Sequence, residues 1–512
     1  MRFIVKILLS IGLALSAPPL KAEWIEASSK HFVVIGDAPR AQIQQFAEEL
    51  ARFDSAVRKA TGANDVEFSA RNRVRIFLVR GDGAVQDLFG PNAGGVGGFY
   101  RASPRASIAV VPQLVTGAVN GFDARYVLYH EYVHHLILGT TGGIYPAWVS
   151  EGLAELFGNA RVNADGSVDL AWANNVRAKE VLYSNYPVRK LLEVSAQKPA
   201  ERGVFQLYAR GWLLTHYLIL GDKRDGQFDA YMRLVNQGVP SLKAGEQAFG
   251  DLNQLDNELD RYRSGKFRYL PLAASALTPA PVVVRVLDPA EAAAMPAYTR
   301  LVAGRGQNLA DIASDASKAA ARFPANAFAQ ATYASAALAA KQRDAALAAA
   351  DRALALDKDQ MDAVLVKAQL LLADAAADKD MAKFSAARAL IDRASVIDSG
   401  YAWPMVLRFD SYRAAGETPT PAAIAGLRRA SKLVPQARAI LLKLAEEMIR
   451  EGNLPDARRA LAPLAFDPHA PRDNPASVLL AMIDDGADAK ALQDRVGLLS
   501  DDAKKDGKAA RE

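Results

Sequence analysis

His130-Glu131-Tyr132-Val133-His134 lies within the mostly apolar run 126–138, and the rest of the chain is best read outward from it. Residues four apart on an α-helix project from one face, so the two imidazoles of this H-E-x-x-H stretch point the same way. Two such ring nitrogens can hold one Zn²⁺, and the glutamate beside the first can act on a water molecule there. The chain has only six histidines, and three of them fall between positions 130 and 135. That concentration marks the segment as a candidate metal site.

Two imidazoles leave a zinc ion short of a third protein ligand. Trp148-Val149-Ser150-Glu151-Gly152-Leu153-Ala154-Glu155 offers two carboxylates, again four residues apart. Glu151 is the expected third metal ligand. Glu155 is expected to accept the remaining ring N–H of a ligand histidine, a contact that fixes the tautomer and raises ligand basicity. A solvated helix face is the alternative for such a pair. Trp148, Val149, Leu153, Leu156 and Phe157 argue against it, because they make the helix mostly apolar and buried carboxylates need partners. Glu131 is the expected general base, taking a proton from the attacking water and returning it to the leaving amine.

The H-E-x-x-H stretch and the glutamate-bearing segment after it resemble the gluzincin metallopeptidases, within the peptidase MA-like family. W-V-S-E-G-L-A-E is similar to the W-x-x-E-G segment of the thermolysin-like and aminopeptidase branches. Tyr208-Ala209-Arg210-Gly211, with Leu214 and Tyr217-Leu218 beyond, is similar to the Y-x-x-G helix start of the aminopeptidase branch. That likeness implies that the Tyr208 hydroxyl donates to the oxyanion. The resemblance covers roughly residues 23–265 and implies one zinc ion and a peptide or protein substrate. The G-A-M-E-N motif of the aminopeptidases is absent. The glycine-rich 94–98 stretch followed by Phe99-Tyr100 is its candidate substitute as the substrate-lining strand. No glutamate stands out to anchor a free amino terminus, so an endopeptidase, or an enzyme with a narrow substrate, is expected.

The chain has 512 residues, too many for a single core. It has no cysteine, which excludes disulfides, thiolate zinc sites and a cysteine nucleophile. Residues 1–22 read as a secretory signal, with Arg2 and Lys6 before the apolar stretch 7–17. The expected location is the periplasm or the medium outside a bacterial cell. The formal net charge of +5 includes Arg2, Lys6 and Lys21, so the remainder is near neutral and gives no case for a nucleic-acid partner. No later run reaches the roughly 18 apolar residues of a membrane span.

Residues 23–115 look mixed α/β. Strands are expected at 31–35 and 73–79, a helix at 41–61 stopping at Gly62, and a hairpin around Ser103-Pro104. From 123 to 265 the pattern is helical, with a helix expected over 204–220. Residues 266–294 carry Pro271, Pro279, Pro281 and Pro289 and read as a linker. Residues 295–470 form an alanine-rich array with a period near 34 residues. Its copies fall at 327–360, 361–400, 401–436 and 437–470. The second is longer, with an insertion near 374–380, and a degenerate copy occupies 295–326. The array resembles tetratricopeptide repeats; a generic alanine-rich bundle is the alternative. Residues 471–512 read as a C-terminal helix and a charged tail. The expected fold class is therefore α+β: a thermolysin-like catalytic domain with a small mixed sheet and a helical active-site half, followed by an all-α solenoid that binds substrate or a protein partner. The alternative function is a catalytically silent peptidase-like scaffold whose array binds partners.

Four histidines remain. His135 lies about 100° from His134 around the helix and is expected to pack or to support the ligands. His216 either lines the cleft or sits in the core. His31 and His469 receive no role.

Overall fold

Short β-branched runs alternate with helices from Ile25 onward, and they assemble into a mixed sheet with helices on both faces. The computed structural model describes residues 23–64, 69–91, 93–94, 96–113, 124–141, 144–172, 179–182, 184–193, 201–465 and 474–497. The expected signal segment 1–22, His469 and the expected tail beyond 497 lie outside these residues.

The strands are β1 Ile25–Ser28, β2 Phe32–Gly36, β3 Val74–Val79, β4 Phe99–Ala102, β5 Ser107–Pro112, β6 Arg161–Val162, β7 Val168–Leu170, β8 Leu270–Leu272 and β9 Val283–Val286. One sheet has the order β4-β5-β3-β2-β1-β9 and the other β6-β7-β8. The central strands β2, β3 and β5 run parallel, and the outer pairings are antiparallel. Buried parallel strands need cover on both faces. Helix α1, Arg40–Thr61, lies on one face and ends at Gly62 in the left-handed region, φ 65°. Helix α2, Gly81–Phe89, lies on the other. Val74, Ile76 and Leu78 face the first layer and Phe77 the second, as the two-residue period of a strand dictates. The expected hairpin forms: Ser103 N–H donates to the Ala106 carbonyl at 3.0 Å.

The helical half contains α3 Ala124–Thr141, α4 Ala147–Gly158, α5 Val188–Glu193, α6 Glu201–Leu220, α7 Gln227–Asn236, α8 Ser241–Phe249 and α9 Leu252–Tyr262. Helices α3, α4 and α6 build the site described below.

The stretch 266–294 is not a linker. β8 completes the small sheet against β7, and β9 adds an edge to the large sheet by pairing antiparallel with β1. Pro289 opens helix α10, Pro289–Ala303, where Asp288 and Glu291 form a capping box. Proline suits that position because its missing N–H would be unpaired there in any case. Met295 and Ala303 then pack with Ile35, Phe77 and Val110 on the second face of the large sheet. The helical array therefore begins inside the core of the front half.

Beyond α10 come antiparallel helical pairs: Leu309–Arg322 after α10, then Ala327–Ala339 with Arg343–Leu356, Met361–Asp378 with Met381–Ile397, Ala402–Ala414 with Pro421–Leu433, and Arg438–Arg450 with Leu454–Ala465. Buried alanines such as Ala331, Ala334, Ala346, Ala350 and Ala353 allow close approach. The longer copy has no inserted loop. Its two helices are simply longer, 18 and 17 residues, and they turn at Lys379, φ 54°. Past residue 473 there are two short helices rather than one, Pro475–Asp484 and Ala489–Arg495. No helix among the described residues is long and apolar enough to cross a membrane.

The array sits directly on the front half. Arg71 pairs with Asp362 at 2.8 Å, the Tyr401 hydroxyl donates to the Arg105 carbonyl at 3.1 Å, and the Arg105 guanidinium lies 4.8 Å from the Trp403 ring centre. The apolar core around α3 continues into Ala402, Val406 and Ile440.

Candidate metal centre

Helix α3 is held by a residue inside its own motif, Tyr132, which is buried. Its hydroxyl donates to Asp54 of α1 at 2.8 Å. Asp54 also accepts from Arg58 Nε at 3.0 Å and faces His31 Nδ1 at 2.9 Å. Burial opposes the charge on Asp54, but His31, Arg58 and Tyr132 together keep its carboxyl below the ordinary carboxylate range. One turn earlier, Tyr129 stacks on Phe53 with ring centres 3.8 Å apart. These contacts fix the rotation of α3, and with it the direction of the two histidines.

Helix α4 approaches through glycine. A Cβ on Gly152 would lie 2.2 Å from Thr215 Oγ1 and 2.8 Å from the Gly211 carbonyl, and one on Gly158 would lie 2.8 Å from His130 Cα. Helices α4 and α6 therefore touch backbone to backbone, and α4 reaches the start of the H-E-x-x-H turn. The E-G pair of the sequence is one mechanical unit: Gly152 permits the contact that places Glu151.

His130 Nε2 and His134 Nε2 are 3.2 Å apart. Glu151 Oε2 lies 3.3 Å from the first and Oε1 lies 3.5 Å from the second. Zinc ligands about 2.0–2.1 Å from the metal in a tetrahedron stand about 3.3–3.4 Å from one another. The three side chains are buried, and among the described residues they form the one histidine–carboxylate group able to hold a metal ion. Glu151 Oε2 makes no hydrogen bond of good geometry despite being buried. A buried carboxylate oxygen facing two ring nitrogens in this way suits a cation between them.

The supporting contacts differ for the two imidazoles. His134 Nδ1 lies 3.1 Å from Ser150 Oγ. His130 Nδ1 faces Glu155 Oε1 at 3.6 Å, and Glu155 accepts a hydrogen bond from the Tyr126 hydroxyl. Burial disfavours charge on His130, but Glu151, Glu155 and Glu131 outweigh it and hold the ring up at about 9. Burial would raise Glu151, yet the two imidazoles pull it well below the usual carboxylate range. Glu131, Glu151 and Glu155 around His130 favour a bound cation or proton.

The Tyr208 ring lies beside His130, centres 6.3 Å apart, and is half-buried. Glu131 is half-buried on the next face of α3. His135, four residues after Glu131, shares that face and meets the Tyr100 hydroxyl at 3.0 Å. Burial, aided by Arg58, pushes His135 down to about 4, so it is neutral. His216 is a core residue and does not line the cleft. Its Nε2–H donates to the Arg268 carbonyl at 2.9 Å, and its Nδ1 accepts from Tyr262 at 2.8 Å. His31 belongs to the Asp54 network.

Four residues at or near the centre were missed in the sequence: Ser150, Tyr126, Tyr100 as a hydrogen-bonding group, and Gln436. Tyr126 precedes His130 by four, so helical spacing points to it; Ser150 is next to Glu151 and lies about 100° away around the helix, so spacing does not point to it. Nothing local points to Gln436.

No protein-family model matches this chain, and no curated protein is significantly similar to it.

Proposed function

We propose that this chain is a zinc-dependent peptide-bond hydrolase of the gluzincin type, an endopeptidase working outside the cytoplasm, with a tetratricopeptide-like array behind its catalytic half. The observation that carries this is the mutual spacing of 3.2–3.5 Å among His130 Nε2, His134 Nε2 and the Glu151 carboxylate.

His130, His134 and Glu151 would hold the ion, which when bound supplies Lewis-acid polarisation of a carbonyl and of water. Glu131 stands on the adjacent face of the same helix. It takes the proton of the attacking water on its carboxylate and delivers it to the nitrogen of the departing amine. Tyr208, beside His130, donates its hydroxyl hydrogen to the carbonyl oxygen as negative charge builds there. Ser150 and Glu155 orient the two imidazoles. Strand β4 is an edge of the large sheet and borders α3, so an extended peptide can align along it by main-chain pairing.

The test is digestion of an unstructured protein such as casein by the full chain, by the chain with chelator, and by Glu131→Gln. Internal cleavage that chelator abolishes, zinc restores and Glu131→Gln lacks is expected. Absence of cleavage by zinc-loaded wild type, or full activity in Glu131→Gln, overturns the proposal.

A further inference from the structure

The array reaches the wall of the metal centre through Gln436, the last residue of its 401–436 copy. Gln436 Oε1 accepts the phenolic hydrogen of Tyr100 at 2.7 Å. A phenol has one hydrogen to give, so His135 Nδ1, 3.0 Å from the same oxygen, must be the donor to it. Tyr100 thus joins three elements: strand β4, helix α3 and the array. Because His135 and Glu131 are four residues apart, the bond to Tyr100 lands on the face of α3 that carries Glu131. Burial raises the Tyr100 phenol above its ordinary range, and the nearby Glu131 carboxylate adds to that.

Other polar contacts of the array fall on the sheet. Arg71–Asp362 and Arg105–Gln369, both 2.8 Å, bind the approach to β3 and the β4–β5 turn. They hold the array on the sheet, whereas Gln436 holds the residue that touches the catalytic helix.

We infer that Gln436, Tyr100 and His135 form a positioning unit through which the repeat array fixes the Glu131 side of the site. The array is then a working part of the centre and not a detachable binding module. This rests on the role of Glu131 proposed above. Replacing Gln436 by an apolar residue removes the acceptor for a phenol whose other partner is a donor, and Tyr100 turns away or draws β4 with it.

The experiment uses the full chain with Gln436→Leu, Tyr100→Phe, the double variant and Gln436→Glu, which keeps an acceptor at the same place. Two readouts are taken: kcat and KM on a peptide substrate with zinc content checked, and amide hydrogen exchange of Phe99–Ala102 in metal-free protein. Each single variant is expected to lose about five- to tenfold in kcat, the worth of one neutral hydrogen bond, with KM and zinc content unchanged. The double variant should be no worse than the poorer single, and Gln436→Glu should recover most of the loss. Exchange in β4 should quicken in Gln436→Leu and stay at the wild-type rate in Gln436→Glu. Unchanged exchange in Gln436→Leu, or kcat losses that multiply in the double variant, overturns the inference. If wild type shows no hydrolysis at all, the proposed function fails, while the exchange data still decide whether the array positions β4.

Discussion

Ser150 Oγ lies 3.1 Å from His134 Nδ1, while the next residue, Glu151, places a carboxylate oxygen 3.5 Å from Nε2 of the same ring. One turn of α4 therefore engages both nitrogens of one imidazole. With a cation at Nε2, the proton sits on Nδ1 and is donated to the serine oxygen. Ser150→Ala should keep the fold and weaken metal affinity by about 10- to 100-fold, measured by competition with a chromophoric chelator. Wild-type affinity in this variant would show that the hydroxyl does not support the ligand.

Tyr208 is tested by removing one atom. Tyr208→Phe keeps the ring beside His130 and deletes the hydroxyl. Metal content and KM should hold while kcat falls by about a hundredfold, the usual scale for one oxyanion donor. A variant with undiminished kcat would place Tyr208 among packing residues.

Gly152 is tested by adding a methyl group. Gly152→Ala puts a Cβ 2.2 Å from Thr215 Oγ1 and 2.8 Å from the Gly211 carbonyl. The helices must move apart, which should destabilise the protein by about 1–3 kcal/mol and displace Glu151 from the imidazoles. Denaturant melts and metal titration read both effects. Thr215→Ala in the same chain should recover part of the loss, because the Gly211 carbonyl remains in the way. Equal stability of Gly152→Ala and wild type would contradict the close crossing of α4 and α6.

His216 gives the chain a defined acid sensitivity. Burial is the main cause that pushes its ring down to about 4, below the ordinary value near 6.5. Because the folded value is depressed, its contribution is whole above about pH 6.5 and is lost as pH falls from there towards 4, where the unfolded chain binds the proton first. Stability from urea melts at pH 7, 5.5 and 4.5 should fall more steeply for wild type than for His216→Gln. Parallel pH profiles for the two would remove His216 as a source of acid lability.

The legible parts of the site are those whose geometry is helical and local. His130 and His134 are four apart, as are Glu151 and Glu155, and the structure brings the two pairs together. The direct helix-to-helix contact between α4 and α6 was hidden, although Gly152 and Gly211 mark it, because glycine in a helix does not name its neighbour. The 266–294 stretch was misjudged because proline density signals both linkers and strand or helix boundaries. Asp288-Pro289-Ala290-Glu291 is a readable capping box there, and it places a helix start six residues earlier than the repeat period does. Tyr100 and Gln436 are separated by 336 positions, and no periodicity connects residues so distant. Long-range polar contacts of that kind depend on how the array lies on the sheet, which single-chain patterning does not encode.

The proposed site has three buried side chains, His130, His134 and Glu151, gripping one divalent ion. It is checked by elemental analysis of wild type and of Glu151→Ala, each dialysed against metal-free buffer after zinc loading and shown to have native circular dichroism. One zinc per wild-type chain and none retained by the variant are expected; a natively folded wild type that binds no metal, or a variant that keeps its full equivalent, rules the site out.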